Sequence, residues 1–195
     1  MSELIIGPAS PEELAELPGI ELRAGSLFSP TDLPPSLAVE ATDLSVFAEA
    51  QQDGRVLVAR YSVVMERDRG KHDANADRES TRVDRVVGFA HIIWIDSCPH
   101  LEELDVDPDF GRRGIGRGLV QATLRWAREK ECDAVTLSTF REIPWNGPFY
   151  SRMGFEAIED RDLTESFRKL RKHEAELGLD IERRIIMRRD LSEGA

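Results

Sequence analysis

The sequence has few cysteines and few histidines. It contains two cysteines, Cys98 and Cys132, and four histidines among its 195 residues. Two cysteines are too few for a disulfide framework and are typical of a protein from a reducing compartment. The histidines share no metal-ligand spacing with cysteines or carboxylates, so we predict that there is no metal site.

Long apolar runs are also missing. No run of about 18 apolar residues occurs, and we therefore expect no membrane span. The first residues lack the basic and apolar pattern of a signal peptide. We accordingly expect a cytoplasmic protein.

Positive charge is in deficit. Lys and Arg number 26 against 37 Asp and Glu, which gives a net charge of −11. An acidic protein is a poor general binder of nucleic acid, whereas its field attracts cationic substrates such as amines. The charge is explained equally well by solubility alone. The chain is 41% hydrophobic, enough for the core of one domain.

The stretch 101–130 is the most informative part of the chain. An apolar run ends at Val106, the sequence Asp107-Pro108-Asp109 follows, and a turn rich in glycine and arginine leads into a helix. We expect Gly114 and Gly116 to adopt positive φ, or to let a ligand touch the backbone, because glycine has no Cβ. The first amides of the helix have no intrahelical partner and form an anion site together with the helix dipole.

Three arginines support this interpretation. Arg112, Arg113 and Arg117 lie at or just before the positive end of the helix, where each cation costs about 0.3–1 kcal/mol unless an anion is present. They predict a ligand with several negative charges, such as a pyrophosphate. The alternative is a solvated basic turn.

Two common nucleotide motifs are absent. The pattern GxxxxGK[ST] does not occur, and Leu119 stands where the third glycine of a dinucleotide-binding fingerprint would have to be. The turn instead resembles the acetyl-CoA loop of the GNAT acetyltransferase superfamily, Gln/Arg-x-x-Gly-x-Gly/Ala after a strand of the form Leu-x-Val-x-Pro. Leu104, Val106 and Pro108 match the strand, and the residues from Arg113 to Gly116 match the turn. The leading Gln/Arg of the family falls on Gly111, so Arg112 or an overlapping frame from Arg113 to Gly118 must supply that contact.

The segment 144–155 carries a second resemblance to the same superfamily. It reads PWNGPFYSRMGF and is similar to the family segment in which a short helix carries Phe-Tyr, then a basic residue and Gly-Phe. The resemblance implies that Tyr150 donates a proton to the departing thiolate. A core aromatic is the alternative. The family's asparagine commonly lies seven residues before the tyrosine, where this chain has Ile143, but Asn146 is four before and on the same helix face.

The resemblance implies acetyl-CoA as cofactor and coenzyme A as product. The backbone of Leu104, Asp105 and Val106 would pair with the pantetheine arm, and the Val106 amide would polarise the acetyl carbonyl. The residues expected to contact the rest of the cofactor are Gly111, Arg112, Arg113, Gly114, Ile115, Gly116, Arg117 and Asn146.

The reaction implied is direct attack of a neutral amine on the thioester, so a carboxylate should take the amine proton. Glu102, Glu103 and Asp105 are the candidates. Glu103 and Asp105 share one face of the strand and Glu102 takes the other. We choose Glu103, because it lies early on the strand and therefore near an acceptor.

The order of elements agrees with this superfamily. The resemblance implies an α/β (α+β) fold, a mixed and strongly twisted sheet of about six to seven strands with helices on both faces. We expect a single domain over 1–195, with a charged insertion at 65–82 and an extra helix near 163–177. Two roles stay open for that helix, covering the acceptor pocket or forming a homodimer face. His91, on a strand that is apolar on both faces, is expected to be a buried core histidine.

Three functions remain open. The first is N-acetylation of a small-molecule primary amine, for which Glu21 and Phe28 are substrate candidates. The second is acetylation of a protein lysine or N-terminus. The third is a non-catalytic acyl-CoA-binding module.

Overall fold

A computed structural model describes residues 4–66 and 80–191. Within these residues one sheet contains seven strands: β1 (Leu4–Pro8), β2 (Val56–Glu66), β3 (Ser80–Ile95), β4 (Cys98–Val106), β5 (Ala134–Phe140), β6 (Glu156–Ala157) and β7 (Arg184–Asp190). The helices of the same residues are α1 (Leu17–Gly25), α2 (Pro35–Val39), α3 (Leu44–Gln52), α4 (Ile115–Glu129), α5 (Gly147–Arg152) and α6 (Glu165–Glu176). The predicted α/β fold with a mixed sheet is confirmed.

The sheet is split near its centre. Its strand order is β1-β2-β3-β4-β5-β7-β6, and β4 and β5 are the parallel pair between antiparallel neighbours. These two strands pair at His100–Thr136 and Leu101–Leu137. Beyond that point β4 continues along β3 and β5 continues along β7, so the two strands diverge. The predicted strand–helix–strand unit from β4 through α4 to β5 is thereby confirmed.

The alternation of β2 explains why helices cover both faces of the sheet. Leu57 and Ala59 belong to the cluster that packs against α4. Val56 and Val58 point the other way and pack with α1 and α3. Successive strand residues face opposite sides, so a strand that is apolar at every position requires a layer on each face.

The chain enters α1 differently from the sequence prediction. The sequence Ser10-Pro11-Glu12-Glu13 predicts a capping box at a helix start, and this box is present, since the Ser10 amide donates to Glu13 Oε2 at 2.7 Å. The sequence also predicts that Pro18 and Gly19 break this helix, and that prediction is wrong. A 3-10 turn fills Pro11–Glu16, and α1 begins at Leu17. Pro18 therefore lies in the first helical turn, where its missing N–H is not needed.

The β2–β3 hairpin is longer than its apolar pattern. The pattern predicts strands over 55–64 and 83–95, but the ladder extends until Glu66 pairs with Ser80. Backbone hydrogen bonds can pair charged residues as well as apolar ones, so periodicity underestimates such strands. Of the predicted insertion at 65–82, residues 67–79 lie outside the described residues.

The C-terminal helix is present as α6. Its N-cap is Thr164, whose Oγ1 accepts from the Phe167 amide at 3.3 Å, and not the predicted Asp162. Phe167 packs with Leu163 and with Ile186 of β7. The single-domain organisation over 1–195 remains a prediction. No helix within the described ranges combines the length and the apolar character that a bilayer crossing requires.

Candidate active site

The turn between β4 and α4 is held by a buried carboxylate. Asp107 is 1% exposed and accepts from the amide of Asp109 at 3.1 Å. It also forms ion pairs with Arg23 of α1 at 3.0 Å and with Arg85 of β3 at 3.2 Å. Hydrogen bonds to a charged group are among the stronger ones in proteins. Asp107 therefore fixes the start of the turn to two other elements.

The two glycines of the turn have different roles. Gly114 is the N-cap of α4 and has a φ of 79°, as the sequence predicts. Gly116 does not have positive φ, so of the two expected roles only contact between the backbone and a ligand stays open for it. A Cβ at Gly116 would stand 3.9 Å from both Phe149 and Val106, an ordinary contact distance, so packing against these neighbours does not require glycine.

The start of α4 presents free amides. The amide of Gly118 makes the first helical bond, to the Gly114 carbonyl at 2.9 Å. The amides of Ile115, Gly116 and Arg117 precede it and have no acceptor within the helix. A Cβ at Gly114 would meet nothing within 4 Å, so there is open space beside these donors. The arrangement fits an anion.

We call the cavity beside this turn the loop cavity. Its volume is about 640 Å³. Its walls include aromatic side chains, the end of β4 and the turn itself. The residues named in the sequence analysis that line it are Phe28, Leu104, Asp105, Val106, Gly111, Arg112, Gly114, Ile115, Gly116, Arg117, Asn146 and Tyr150.

Arg113 does not line the loop cavity. Its guanidinium lies over the rings of Phe110 and Tyr61, at 5.1 and 5.5 Å from their centroids. Its Nη1 donates to the Tyr61 hydroxyl at 3.4 Å. Three arginines in six residues cannot all face one ligand. Stacking on the two aromatic rings stabilises the guanidinium of Arg113 instead.

A second cavity, which we call the strand cleft, lies along the part of β4 that has left β5. Its volume is about 590 Å³. Five carboxyl groups line it, those of Glu21, Glu40, Glu102, Glu103 and Asp105. The structure thus brings Glu21, a substrate candidate from the sequence, to the same cleft as the three base candidates.

The two cavities meet. Phe28, Leu104, Asp105, Asn146 and Tyr150 line both. A molecule in the loop cavity and a molecule in the strand cleft can therefore approach each other at these side chains. Four of the five come from the two segments that the sequence singled out.

The position of α5 is set by a close approach at its first residue. A Cβ on Gly147 would lie 2.6 Å from the Arg141 carbonyl, so only glycine permits this packing against the end of β5. The Tyr150 amide donates to the Asn146 carbonyl at 3.0 Å, which places the two residues one turn apart. Asn146 Oδ1 is buried and has no hydrogen-bond partner among the described residues.

Glu103 and Asp105 form a coupled pair. Burial and the Asp105 charge raise the pKa of Glu103 well above its ordinary value. Burial likewise raises the pKa of Asp105 to about 7. Glu103 Oε1 is buried and accepts no hydrogen bond from the described residues. The two carboxyl groups can hydrogen-bond to each other only when one of them is protonated. Protonation of one member therefore stabilises the pair.

Glu102 occupies the bulge of β4. The ladder pairs Glu103 with His91 and Leu101 with Ile92, so Glu102 has no residue opposite it on β3. Its side chain is 41% exposed. Partial burial and the Glu174 charge raise its pKa. The bulge brings Glu102 to the same cleft as Glu103, although strict alternation predicts opposite faces.

Tyr150 and His91 are both neutral in this environment. Tyr150 is 6% exposed, and burial together with the Asp105 charge raises the pKa of its hydroxyl. His91 is 3% exposed and packs edge-on against Phe47. Burial and the Arg55 charge lower the pKa of His91 to about 4. His91 is thus a buried neutral histidine, as the sequence predicts, although it also borders the strand cleft.

Comparison with known proteins identifies the family. A family model described as the acetyltransferase (GNAT) family matches residues 45–155. The chain belongs to the GNAT acetyltransferase family. Its acetyl donor is accordingly acetyl-CoA, and the predicted activity class, an N-acetyltransferase, is confirmed.

Solved structures of GNAT proteins share the fold. An acetyltransferase of the GNAT family from Staphylococcus aureus matches with a TM-score of 0.64 and 18% identity, over 97% of this chain and 100% of that one. The PaiA N-acetyltransferase from Thermoplasma acidophilum in complex with coenzyme A matches at 0.59 and 16%, over 96% and 99%. The ribosomal-protein-S18-alanine N-acetyltransferase from Escherichia coli matches at 0.58 and 16%, over 99% and 97%. At these identities the likeness establishes the fold.

The loop cavity of this GNAT protein fits acetyl-CoA on three counts. Free amides at the start of α4 suit an anionic pyrophosphate, and Arg112 and Arg117 line the same space. The left-handed Gly114 leaves that space open. The unpartnered Asn146 Oδ1 offers an acceptor for an amide N–H.

Sequence reasoning missed several residues that line these cavities. Trp145 and Phe149 form aromatic walls of the loop cavity. Both lie inside the segment 144–155, so their position in that motif was an available signal. Ser138 and Arg184 line the strand cleft from β5 and β7. No local pattern marks them, because only the strand order places them there.

Proposed function

We propose that this GNAT protein transfers the acetyl group of acetyl-CoA to a primary amine of a small molecule. The observation that supports it most is the meeting of the loop cavity and the strand cleft at Tyr150, Asp105, Leu104 and Asn146. A donor on one side and an acceptor on the other would be held with their reacting atoms at this junction. Such positioning supplies a large part of the rate of group transfer.

Backbone groups would hold most of the donor. In the described sheet, residues 103–106 pair with β3 on one side and with no strand on the other. Their free side would receive the pantetheine arm, with the Val106 amide directed at the acetyl oxygen. The amides and arginines of the turn from Gly111 to Arg117 would hold the pyrophosphate, and Asn146 would accept from a pantetheine amide.

Side chains at the junction would move two protons. An amine must be neutral to attack, so a carboxylate has to take its proton. The Glu103–Asp105 pair serves this purpose as a unit, with Asp105 as the member that is ionised above pH about 7. Tyr150 keeps its proton near neutral pH and donates it to the sulfur that leaves.

A small acceptor is favoured over a protein because a strap covers the strand cleft. The strap is the segment 29–43, and Leu33, Leu37, Glu40 and Thr42 within it line the cleft. On one side Glu21 accepts from the Thr42 amide at 2.8 Å. On the other side Arg183 pairs with Asp32 at 2.6 Å. A strap fastened at both sides leaves room for a small molecule but obstructs an extended peptide.

The test is a panel of acceptors. Release of coenzyme A from acetyl-CoA is measured with small primary amines, with lysine-containing peptides and with peptides that have free N-termini. We expect small amines to be preferred by kcat/KM. Preference for peptides would assign the chain to protein acetylation instead.

A parallel measurement separates binding from catalysis. Thermal unfolding is recorded with acetyl-CoA, coenzyme A and NAD, and a ligand at about 100 times its Kd should stabilise the fold by about 2.7 kcal/mol. Stabilisation by both coenzyme A forms without turnover of any amine would support the non-catalytic binding module. Stabilisation by NAD alone would remove the acetyl-transfer proposal.

A further inference from the structure

We infer that the acceptor of this enzyme is a linear diamine or polyamine, with at least two ammonium groups and no carboxylate. The inference rests on the proposed function and names the substrate class of the strand cleft. It is carried by the charge of the cleft, by its unpartnered buried oxygens and by its apolar walls.

The charge of the cleft disfavours an anionic acceptor. Five carboxyl groups line it, and among the described lining residues Arg184 is the one guanidinium. Arg184 Nη2 already donates to Glu174 at 2.7 Å and to Ser138 at 3.0 Å, whereas its buried Nε has no acceptor among the described residues. Its guanidinium also lies over the Phe140 ring at 4.9 Å. A carboxylate on the acceptor would therefore meet like charge on most sides.

The carboxyl groups lie at two places along β4. Asp105 is at the junction with Tyr150, where the reacting nitrogen belongs, and Glu103 lies in the strand cleft. Glu102 is the second place, since its nearest cationic candidate is His100 Nε2 at 3.8 Å. Burial lowers the pKa of His100 to about 4, so the ring is neutral and adds no positive charge beside Glu102. At about 3.3 Å per residue, Glu102 and Asp105 are up to about 10 Å apart, a distance that a short diamine can bridge.

Two buried oxygens in this region lack donors. Glu103 Oε1 and Glu174 Oε2 are buried and have no partner within the described residues. Glu174 is 5% exposed and bonds Ser138 and Arg184, which line the cleft. Buried acceptors without donors are costly, and an ammonium group brings three donors. Burial also raises the pKa of Glu21, which has no cation beside it in the cleft.

Apolar side chains form the wall between these charges. Leu37 and Val46 come from the strap and from α3, Ile93 from β3, and Leu179 from the segment after α6. They suit the methylene chain that separates two ammonium groups. A compact acceptor with polar groups all round would leave this wall unmatched.

The test compares three amines with similar carbon chains. Butylamine has one ammonium group, putrescine has two, and ornithine has two and a carboxylate. We expect kcat/KM for putrescine to exceed that for each of the others by at least about tenfold, a difference of 1.4 kcal/mol. Calorimetry on the protein without coenzyme A should give the same order of binding.

A variant at Glu102 tests whether this carboxyl group binds the second ammonium group. Glu102→Gln should raise the ratio of the KM for putrescine to the KM for butylamine about tenfold. Glu129→Gln, on the exposed side of α4, is the matched control and should change neither the KM for putrescine nor the KM for butylamine. Glu40→Gln, also exposed, is a second variant should E102Q fail to fold.

The outcomes separate the two proposals. Equal use of butylamine and putrescine overturns the diamine inference and leaves acetyl transfer intact. Preference for ornithine also overturns it and would implicate Arg184. Binding of putrescine without release of coenzyme A by any amine supports the diamine site and overturns the proposed function. Failure of putrescine to bind overturns the inference, whatever the amine panel shows.

Discussion

The loop cavity and the strand cleft share one wall of β4 but recognise opposite charge by different means. The loop cavity offers backbone amides at a helix start, with Arg112 and Arg117 beside them. The strand cleft offers carboxyl groups from α1, the strap and β4. Backbone amides can form an anion site from one short stretch of chain, whereas side-chain carboxylates must be collected from distant segments. The candidate donor site is therefore local in sequence, and the candidate acceptor site is not.

The largest effect is expected from reversing the charge preference of the loop cavity. Gly114→Asp places an anion beside the free amides. Two unit charges at 4 Å repel by about 4 kcal/mol at an effective dielectric constant of 20. We expect the Kd for coenzyme A to rise at least about hundredfold by calorimetry.

Two controls isolate the charge in that variant. Gly114→Asn has nearly the same shape and tolerates the left-handed region, so it should retain most of the affinity. Gly54→Asp meets a similar φ of 69° far from the loop and reports the backbone cost alone. Unchanged affinity in Gly114→Asp would mean that the pyrophosphate does not lie at this turn.

The next largest effect, on kcat, is expected from removing the Tyr150 hydroxyl at the junction of the two cavities. Tyr150→Phe removes the hydroxyl that protonates the leaving sulfur and keeps the aromatic packing against Phe149 and Phe155. General acid catalysis contributes about 10²–10⁴-fold, and a thiolate leaves easily, so we expect kcat to fall about hundredfold. The Kd for coenzyme A should stay within about twofold. A kcat equal to that of the parent would remove Tyr150 from the mechanism.

The coupled carboxyl pair predicts a pH dependence. Because the pKa of Asp105 is about 7, kcat/KM should rise with pH and level off above about 7. Asp105→Asn should abolish the rise of kcat/KM with pH and lower its plateau about tenfold or more. Glu103→Leu should shift the rise to higher pH, because it removes the hydrogen bond by which Glu103 lowers the pKa of Asp105. A profile unchanged in both variants would exclude the pair as the base.

The same pair affects stability in the opposite sense. Burial raises the pKa of both carboxyl groups in the folded state, so protonation favours folding. Their contribution to the free energy of unfolding is fully present below the unfolded pKa of about 4 and is lost as pH rises through about 7. Denaturant unfolding of Asp105→Asn between these pH values should show a weaker loss of stability than the parent shows. An equal loss would place the pH dependence elsewhere.

The smallest effect separates the arginines of the turn. Arg117→Ala should weaken coenzyme A binding about fivefold, a typical value for one exposed charge. Arg113→Ala should leave the Kd within about twofold and instead lower stability by about 0.5–1 kcal/mol, since its guanidinium stacks on Phe110 and Tyr61. Equal losses of affinity in the two variants would contradict the geometry of the loop cavity.

The sequence predicted the elements whose signals are local. The apolar run 134–140 predicts a strand with the bounds that β5 has, and Gly114 has the expected positive φ. It did not predict the continuation of α1 through Pro18, because the preceding 3-10 turn moves that residue into the first helical turn. It also placed Glu102 away from Glu103, because a β-bulge has no mark in the alternation of apolar residues.

The sequence by itself determined the family, the donor turn and the helix that carries Tyr150. Each depends on residues within about a dozen positions, where glycine conformation, capping and spacing act directly. Only the tertiary structure decided that Arg113 faces away, that Glu21 reaches the carboxyl groups of β4, and that Arg184 stands in the strand cleft. These contacts depend on where β4 and β5 diverge and on how α1 and β7 flank the gap. That arrangement arises from the packing of the whole sheet, which no single segment encodes.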